Sequence, residues 1–155
     1  MLARHAAGLV FLAGTITTWI PFRSDIYPYT IQQPSSYRHI VIVNTDKHKV
    51  DYFFPSLGSS VTNVNIYADR TYVRPRTYLR SIGGSHVHRS GWLHIMGRSL
   101  PLTCADFSGI TARWTIEQVD FRAHGRVWHL TASYEHRFRG QRGLMMHMLR
   151  TFRTR

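Results

Sequence analysis

The segment FRAHGRVWHLTASYEH, residues 121–136, constrains the fold more than any other part of the sequence. Apolar and polar residues alternate on both sides of a His-Gly-Arg corner, and this period of two is typical of half-buried β-strands. One face of the returning strand carries four apolar or aromatic residues: Trp128, Leu130, Ala132 and Tyr134. We therefore predict a hairpin in which Ser108–Ala123 pairs with Val127–Tyr134.

Other parts of the chain also resemble short strands. The segments HIVIVN (39–44) and VDYFF (50–54) flank a polar turn and predict a second hairpin. The segment VTNVNIYADRTYVRP (61–75) predicts two further strands around the turn ADR. Strand character is also expected in IYPYTI (26–31).

Two helices are expected from apolar residues at helical spacing. The first begins near Ser90, carries Trp92, Ile95, Met96 and Leu100, and ends at Pro101. The second is RGLMMHMLRTFRTR at residues 142–155, with its apolar stripe in the core.

This order of elements predicts an α+β fold of two small β-rich modules, each with one packed helix. Residues 1–25 would form an apolar extension and residues 26–105 the first module. Residues 106–155 would form a second, shortened module with a basic helix. The stretch Ala6–Phe22 is shorter than the roughly 20 residues of a comfortable membrane span. We expect it to pack on the protein or a partner, with membrane contact as the less favoured alternative.

The balance of charge narrows the class of partner. The chain has 20 Lys and Arg against 8 Asp and Glu, a net charge of +12, which favours an acidic partner such as nucleic acid or an anionic membrane surface. Lys47 and Lys49 are the only lysines, and arginine suits bidentate contacts with RNA phosphates. Coding bias in a GC-rich genome would explain the ratio of arginine to lysine, but not the net charge.

Clustered arginines are the candidate RNA-binding residues. They are dense near the carboxyl end and again between residues 70 and 80, so we expect salt-dependent phosphate contacts there. Arg137, Arg139 and Arg142 are the strongest candidates. The others are Arg150, Arg153, Arg122, Arg74, Arg76 and Arg80.

Catalytic and metal-binding patterns are weak. His86, His88 and His94 have no further ligands at convincing spacing, so no metal or cofactor is expected. Glu117 and Asp120 lie three apart on a predicted strand, so they face opposite sides and cannot act as an acid–base pair. Cys104 is the only cysteine, and we expect it to be a buried thiol. We therefore predict a protein that is not an enzyme and has no small-molecule substrate.

A family resemblance extends this interpretation. The segment from Gly109 through Arg113, Val119 and Phe121 to His136 resembles, in order, the second module of the universal large-subunit ribosomal protein six family. VNIYADRTYVRP (64–75), GWLHIMGRSL (91–100) and GLMMHMLRTFR (143–153) are similar to further parts of that family. The resemblance implies a structural protein that binds large-subunit ribosomal RNA and neighbouring ribosomal proteins.

Departures from the family pattern point to an organelle. Gln118 and Asp120 replace two glycines, and only six residues separate His136 from Gly143, which suggests deleted strands. The resulting hypothesis is a divergent ribosomal protein of the mitochondrial matrix. The alternative is an accessory subunit of a mitochondrial respiratory complex, anchored in the inner membrane by residues 6–22.

Overall fold

A computed structural model describes residues 17–44, 46–56 and 61–155. The described residues form ten strands, two α-helices and one 3₁₀ helix. The strands are β1 Trp19–Arg23, β2 Tyr29–Pro34, β3 Tyr37–Val43, β4 Lys49–Pro55, β5 Asn63–Asp69, β6 Ser85–Ile95, β7 Arg98–Ser108, β8 Arg113–Ala123, β9 Arg126–Glu135 and β10 Arg153–Thr154. The helices are α1 Pro75–Ser81, the 3₁₀ helix His136–Gln141 and α2 Arg142–Arg150.

Two antiparallel sheets organise these strands. The large sheet has seven strands in the order β3-β4-β5-β9-β8-β7-β6, and the small sheet has three in the order β1-β2-β10. Because β9 inserts between β5 and β8, early and late parts of the chain hydrogen bond side by side. The structure is therefore a mostly β protein of the α+β class, and the predicted class is confirmed.

The predicted hairpin of β8 and β9 is present. Ala123 pairs with Arg126, which leaves a two-residue turn of His124 and Gly125. Both turn residues have positive φ, 50° and 72°, as required by the tight turn that matches the twist of antiparallel strands. The predicted hairpin of residues 39–44 and 50–54 is also present, as β3 and β4.

The main core lies between one face of the large sheet, here called the inner face, and a layer made of the small sheet and α2. Phe152 is fully buried at its centre. Its ring centroid lies 5.0 Å from those of both Trp128 and Tyr29, and 5.8 Å from that of Phe121. Edge-on and offset ring contacts of this kind add to the free energy gained by burying aromatic area.

Asp51 joins the two sheets through a buried carboxylate. On its Oδ2 it accepts hydrogen bonds from the hydroxyl groups of Ser24 (2.6 Å) and Tyr29 (2.7 Å). Its Oδ1 lies 2.7 Å from Nε2 of His39. The partners come from β2, β3 and the loop after β1, so one acidic side chain fixes the small sheet on the large one.

The helix predicted from Ser90 to Pro101 is wrong. These residues form β6, a two-residue turn at Met96 and Gly97, and the start of β7. Leu93 and Ile95 point into the core while Trp92 and His94 point away, so the operative period is two. The apolar residues fit both periods over this short stretch, and pairing with β7 selected the strand.

The second of the two strands predicted in residues 61–75 is absent, since residues 71–74 form no strand and helix α1 begins at Pro75. β5 is present, but the chain then turns into a helix that begins at Pro75, a residue suited to a first helical position. The helix ends in a Schellman motif, where the N–H of Gly84 donates to the carbonyl of Leu79. A Cβ on Gly84 would lie 2.6 Å from that carbonyl oxygen, so only glycine allows this close approach.

The predicted module boundary, between residues 105 and 106, falls inside β7. Strands from both sides of it form one sheet, with Ile66 of β5 paired to Leu130 of β9. In the stretch Ala6–Phe22, residues 6–16 lie outside the described residues, and Trp19–Phe22 belongs to β1. Within the described part of the chain, no helix has the length and apolar character needed to cross a membrane.

Replacing Asp51 is expected to destabilise the fold strongly. Asp51→Ala leaves the buried hydroxyls of Ser24 and Tyr29 without their acceptor, at a cost of about 3 kcal/mol in the free energy of unfolding. Urea unfolding followed by tryptophan fluorescence measures this. The exposed Asp25→Ala is the matched control and should change the free energy of unfolding by less than about 0.5 kcal/mol. Equal effects of the two substitutions would contradict the role of Asp51.

Candidate binding cleft

The outer face of the large sheet, opposite the core, carries polar side chains that are nonetheless buried. Successive residues of a strand point to opposite faces, so Val119 enters the core while Gln118 and Asp120 point to the outer face. His129 of β9 and Tyr67 of β5 lie beside them, as the strand registers require. Helix α1 covers part of this face and makes it a cleft.

Two adjoining cavities occupy the cleft. The first, here the apolar cavity, measures about 130 Å³, and the second, here the acidic cavity, about 70 Å³. Tyr67, Tyr78 and Gln118 line both. The apolar cavity is further lined by Ile42, Asn44, Val50, Asn65, Ile82, Ile116 and Thr131. The acidic cavity is further lined by Asp46, His48, Asp69, Thr71, Val73, Asp120 and His129.

Asp120 is the deepest carboxylate of the acidic cavity. The Nε2 group of Gln118 donates to both of its oxygens, at 2.9 and 3.1 Å. The Nδ1 atom of His129 lies 3.1 Å from Asp120 Oδ2, but the two atoms are not aligned for a hydrogen bond, so the contact is electrostatic only. Both side chains are almost fully buried, so this group is fixed in position.

Stacked rings form one wall of the acidic cavity. The rings of Tyr67 and His129 stack at 4.5 Å, and those of His48 and Tyr67 at 5.7 Å. His48 also lies 3.5 Å from Asp69. The cavity thus combines flat aromatic surface with carboxylates, an arrangement that attracts cations.

The acidic cavity has a negative local charge. Three carboxylates line it, against two histidines and no lysine or arginine. Burial raises the pKa of Tyr67, and Tyr78 and the three carboxylates add to that effect. Burial acts to raise the pKa of Asp69 as well, but hydrogen bonds from the backbone N–H groups that follow it prevail and lower that pKa.

Two buried side-chain oxygens in the cleft have no hydrogen-bond partner: Oε1 of Gln118, whose side chain lines both cavities, and Oδ1 of Asn65 in the apolar cavity. The two ring nitrogens of His129 in the acidic cavity are also unpaired. Gln118 is only 1% exposed. An unpaired buried acceptor costs about 1–3 kcal/mol, and a ligand that donates a hydrogen bond would recover that cost.

The predicted RNA-binding arginines do not form one surface. Arg76 and Arg80 belong to α1 on the outer face and Arg74 directly precedes that helix, whereas α2 and the 3₁₀ helix pack on the inner face. The second group contains Arg137, Arg139, Arg142 and Arg150, followed by Arg153 on β10. Arg122 is exposed at the end of β8.

Two of the three strongest candidates are paired with carboxylates. Arg142 donates to Glu117 twice, through Nε (2.6 Å) and Nη2 (2.8 Å). The side chain of Arg137 pairs with Glu135 and lies over the ring of Phe138. The sequence cluster contains no acid, but β8 and β9 bring these carboxylates to it. Arg139 is exposed and has the character expected of a surface arginine.

The side chains that could serve as nucleophiles, Cys104 and Thr115, are poorly activated. Cys104 lies 3.7 Å from Nε2 of His88, but burial and the charge of Glu117 raise the pKa of its thiol to about 11. Thr115 lies between Asp106 and His136 and donates its proton to Asp106 at 2.8 Å. In the described ranges, no three His, Cys, Asp or Glu side chains are arranged to hold a metal ion.

Comparison with known proteins identifies the fold. No protein-family model and no curated protein matches the chain. The solution structure of cyanobacterial PsbP (CyanoP) from Synechocystis sp. PCC 6803 is similar, with a TM-score of 0.53 and 10% identity over 97% of this chain and 98% of that one. A crystal structure from Bacteroides thetaiotaomicron VPI-5482 is also similar, with a TM-score of 0.57 and 12% identity over 87% of this chain. The matched region spans 48%, about half, of the Bacteroides chain.

The fold is therefore PsbP-like, and the predicted membership of the large-subunit ribosomal protein six family is wrong. The likeness to CyanoP covers nearly the whole of both chains, and the segment taken as that family's helix (91–100) forms β6 and β7. The ribosomal function inferred from that resemblance is therefore also wrong. Alternating apolar residues around a Gly turn occur in many antiparallel hairpins, which explains the false match. The predicted mitochondrial location stays a prediction.

Sequence reasoning missed the cleft. The spacing of Glu117 and Asp120 correctly predicts that they face opposite sides of a strand, but this spacing alone does not indicate a cleft. The available signal was polar residues at alternate strand positions on a face that also carries Tyr67 and Ile116. The covering helix α1 was not predicted, so nothing indicated that this face was buried.

The two arginines Arg142 and Arg139 should differ sharply in their effect on stability. Arg142→Ala leaves the buried Glu117 without its cation and should lower the free energy of unfolding by about 3 kcal/mol. Arg139→Ala, in the same basic cluster, should lower it by less than about 0.5 kcal/mol. Urea unfolding of both variants measures the difference. Similar small losses would show that Arg142 is an ordinary surface residue.

Alkaline pH should destabilise the protein through Cys104. Its thiol has a pKa of about 11 in the folded protein against an ordinary 9.0, so between these values the unfolded chain binds fewer protons. The free energy of unfolding should therefore fall as pH rises from 9 to 11. Urea unfolding at several pH values measures the slope, with Cys104→Ser as the control that removes this titration. An equal slope in the control would contradict the assignment to Cys104. The raised pKa of Tyr134, about 12, extends the decline in both proteins.

Proposed function

We propose that the protein is a non-catalytic binding module that takes a small organic cation in the cleft beneath α1. The cationic group would occupy the acidic cavity and an apolar body would occupy the adjoining apolar cavity. One observation carries the proposal: three of the chain's eight acidic residues converge on one cavity of a protein with a net charge of +12. A uniformly basic surface would repel a cation, so this local reversal of sign favours a dedicated site.

Hydrogen-bond chemistry supports the same class of ligand. The unpaired oxygens of Gln118 and Asn65 and the carboxylate of Asp120 all accept hydrogen bonds. Ammonium and guanidinium groups donate hydrogen bonds and accept none. The stacked rings of Tyr67 and His129 supply a face over which such a cation is attracted.

Size limits the ligand. Pockets for drug-sized molecules measure about 300–1,000 Å³, and both cavities of the cleft are smaller. Liquid water occupies about 30 Å³ per molecule, so the acidic cavity has room for a group of ammonium or guanidinium size. The cation would be a free small amine or a single cationic side chain of a partner protein.

Binding without catalysis fits the reactive groups of the chain. A thiol with a pKa near 11 stays protonated at neutral pH, so Cys104 is a poor nucleophile. The hydroxyl of Thr115 donates its single proton to the carboxylate of Asp106 and therefore does not donate it to His136, 3.1 Å away. Neither group lines the cleft.

Titration with matched probes tests the proposal. Benzylamine should shift the NMR signals of the Gln118 side-chain amide and the Thr131 backbone amide, whereas the uncharged benzyl alcohol should not. Acetyl-arginine amide, which carries its cation on a peptide unit, forms the second arm. Saturable binding of either cation supports the site, and their relative affinities distinguish a free amine from a partner's side chain.

Two aspartate variants locate the binding. Asp46→Asn removes an exposed carboxylate of the acidic cavity and should weaken binding about fivefold, equivalent to about 1 kcal/mol. Asp25→Asn makes the same chemical change outside the cleft and should leave the affinity unchanged. The proposal fails if benzyl alcohol binds as well as benzylamine, if neither cation binds, or if both variants behave alike.

A further inference from the structure

Strand β3 is an open edge of the large sheet. Within the described residues no strand lies beyond it. Backbone bonds join Asn44 to His48 and Ser56 to Ser36 at its two ends. In an antiparallel pair such bonded positions alternate, so the even-numbered residues of β3 bond to β4. His39, Val41 and Val43 therefore direct their N–H and C=O groups away from the sheet.

Apolar side chains surround this free edge on both faces. Ile40 is 46% exposed on the outer face, and Val41 and Val43 are 46% and 65% exposed on the inner side. The edge therefore offers backbone donors and acceptors together with apolar surface. Such an edge is the surface to which an extended segment adds as a new strand.

The opposite edge of the sheet lacks this regularity. The pairing of β6 with β7 has two register irregularities, one between Ser85 and His88 and one between Arg89 and Gly91. His86 in the first of these has a positive φ of 48°. Irregularities of this kind protect an edge against strand addition. β3 keeps unbroken register over all seven of its residues, so β3, and not β6, is the edge suited to strand addition.

Positive charge lies at both ends of β3. Arg38 is exposed at the beginning, and in the turn and strand that follow its end the exposed Lys47 and Lys49 outnumber the exposed Asp46. These two are the only lysines of the chain. A partner strand with an apolar middle and acidic ends would match this distribution.

We propose that β3 binds an extended segment of a partner protein with acidic ends and an apolar middle, which adds antiparallel to it as an eighth strand. Backbone bonds to His39, Val41 and Val43 supply the pairing, and Ile40 and the two valines contact the partner's apolar side chains. Arg38, Lys47 and Lys49 set the preference for acidic ends. This inference is independent of the cleft beneath α1.

A second copy of the chain fits the edge poorly. Antiparallel pairing of two β3 strands would bring Arg38 of each copy near the end of the other strand, where Lys47 and Lys49 lie. Like charges would then meet at both ends, in molecules that each carry a net charge of +12. The charge therefore selects a different, acidic partner.

Hydrogen exchange of the full-length protein tests the proposal. The probe is the peptide acetyl-EEVTVTVDD-amide, and the matched control is acetyl-KKVTVTVKK-amide. The acidic peptide should slow exchange at the amides of His39, Val41 and Val43, whereas Ile40 and Ile42, already bonded to β4, should change little. The basic peptide should have no effect. This alternating pattern distinguishes strand addition from general contact with the surface.

Two kinds of variant separate the contribution of backbone hydrogen bonds to peptide binding from that of charged side chains. Val41→Pro removes an outward N–H without removing a bond to β4, and it should weaken binding about tenfold. Reversing the charge with Arg38→Glu and Lys49→Glu should weaken binding of the acidic peptide and allow the basic peptide to bind. Arg80→Glu, which changes an exposed charge on α1, is the control and should have no effect.

Several results would overturn the inference. One is slow exchange at His39, Val41 and Val43 in the protein without peptide, which would mean that the edge is already occupied. Another is concentration-dependent dimerisation that Val41→Pro abolishes, since the partner would then be a second copy. Equal binding of the two peptides, or protection without alternation, would also exclude the proposed strand addition.

Discussion

The carboxylate of Asp51 is the interaction on which the arrangement of the two sheets depends. A buried charge is tolerated only when its lone pairs are satisfied, and here two hydroxyls and an imidazole converge on it. His39 comes from β3, which pairs with β4, whereas Ser24 and Tyr29 belong to the small sheet and the loop beside it, which do not pair with β4. The core around Phe152 gains free energy from burial, but non-directional burial would permit many positions of the small sheet. Asp51 selects one of them.

The sequence predicted elements whose evidence was local. The hairpins β3–β4 and β8–β9 and helix α2 followed from alternation, turn residues and an apolar stripe. The predicted continuation of that helix to Arg155 is wrong, because Arg153–Thr154 pairs with β2 as β10. β6 and β7 were misread because Trp92, Leu93, Ile95 and Met96 fit a helical period over a short stretch, and only pairing across the sheet decides. Placement of β9 beside β5 depends on contacts far apart in the chain, which no local pattern contains.

The candidate sites show the same contrast between local patterns, which the sequence contains, and long-range contacts, which it does not. The arginine cluster was visible as composition, and Glu135, which pairs with Arg137, directly precedes it in the sequence. Glu117, which pairs with Arg142, comes from β8 and was not visible as a partner. The cleft was invisible because its carboxylates, Asp46, Asp69 and Asp120, are scattered along the sequence and meet only on the outer face. A net charge of +12 correctly describes the whole molecule and says nothing of this local reversal. Charge counted along a chain and charge arranged in space are different quantities.

The order of strands also sets when this protein can fold during its synthesis. β5 has no partner on one side until β9 has been made, and Phe152, which fills the core, follows later still. The hydrogen bond from Gln32 to Thr151 spans 119 positions. The apolar faces of the early strands therefore stay uncovered until almost the whole described chain has been synthesised. Contacts between residues so far apart in the sequence form more slowly than the local contacts of a helical protein of equal length.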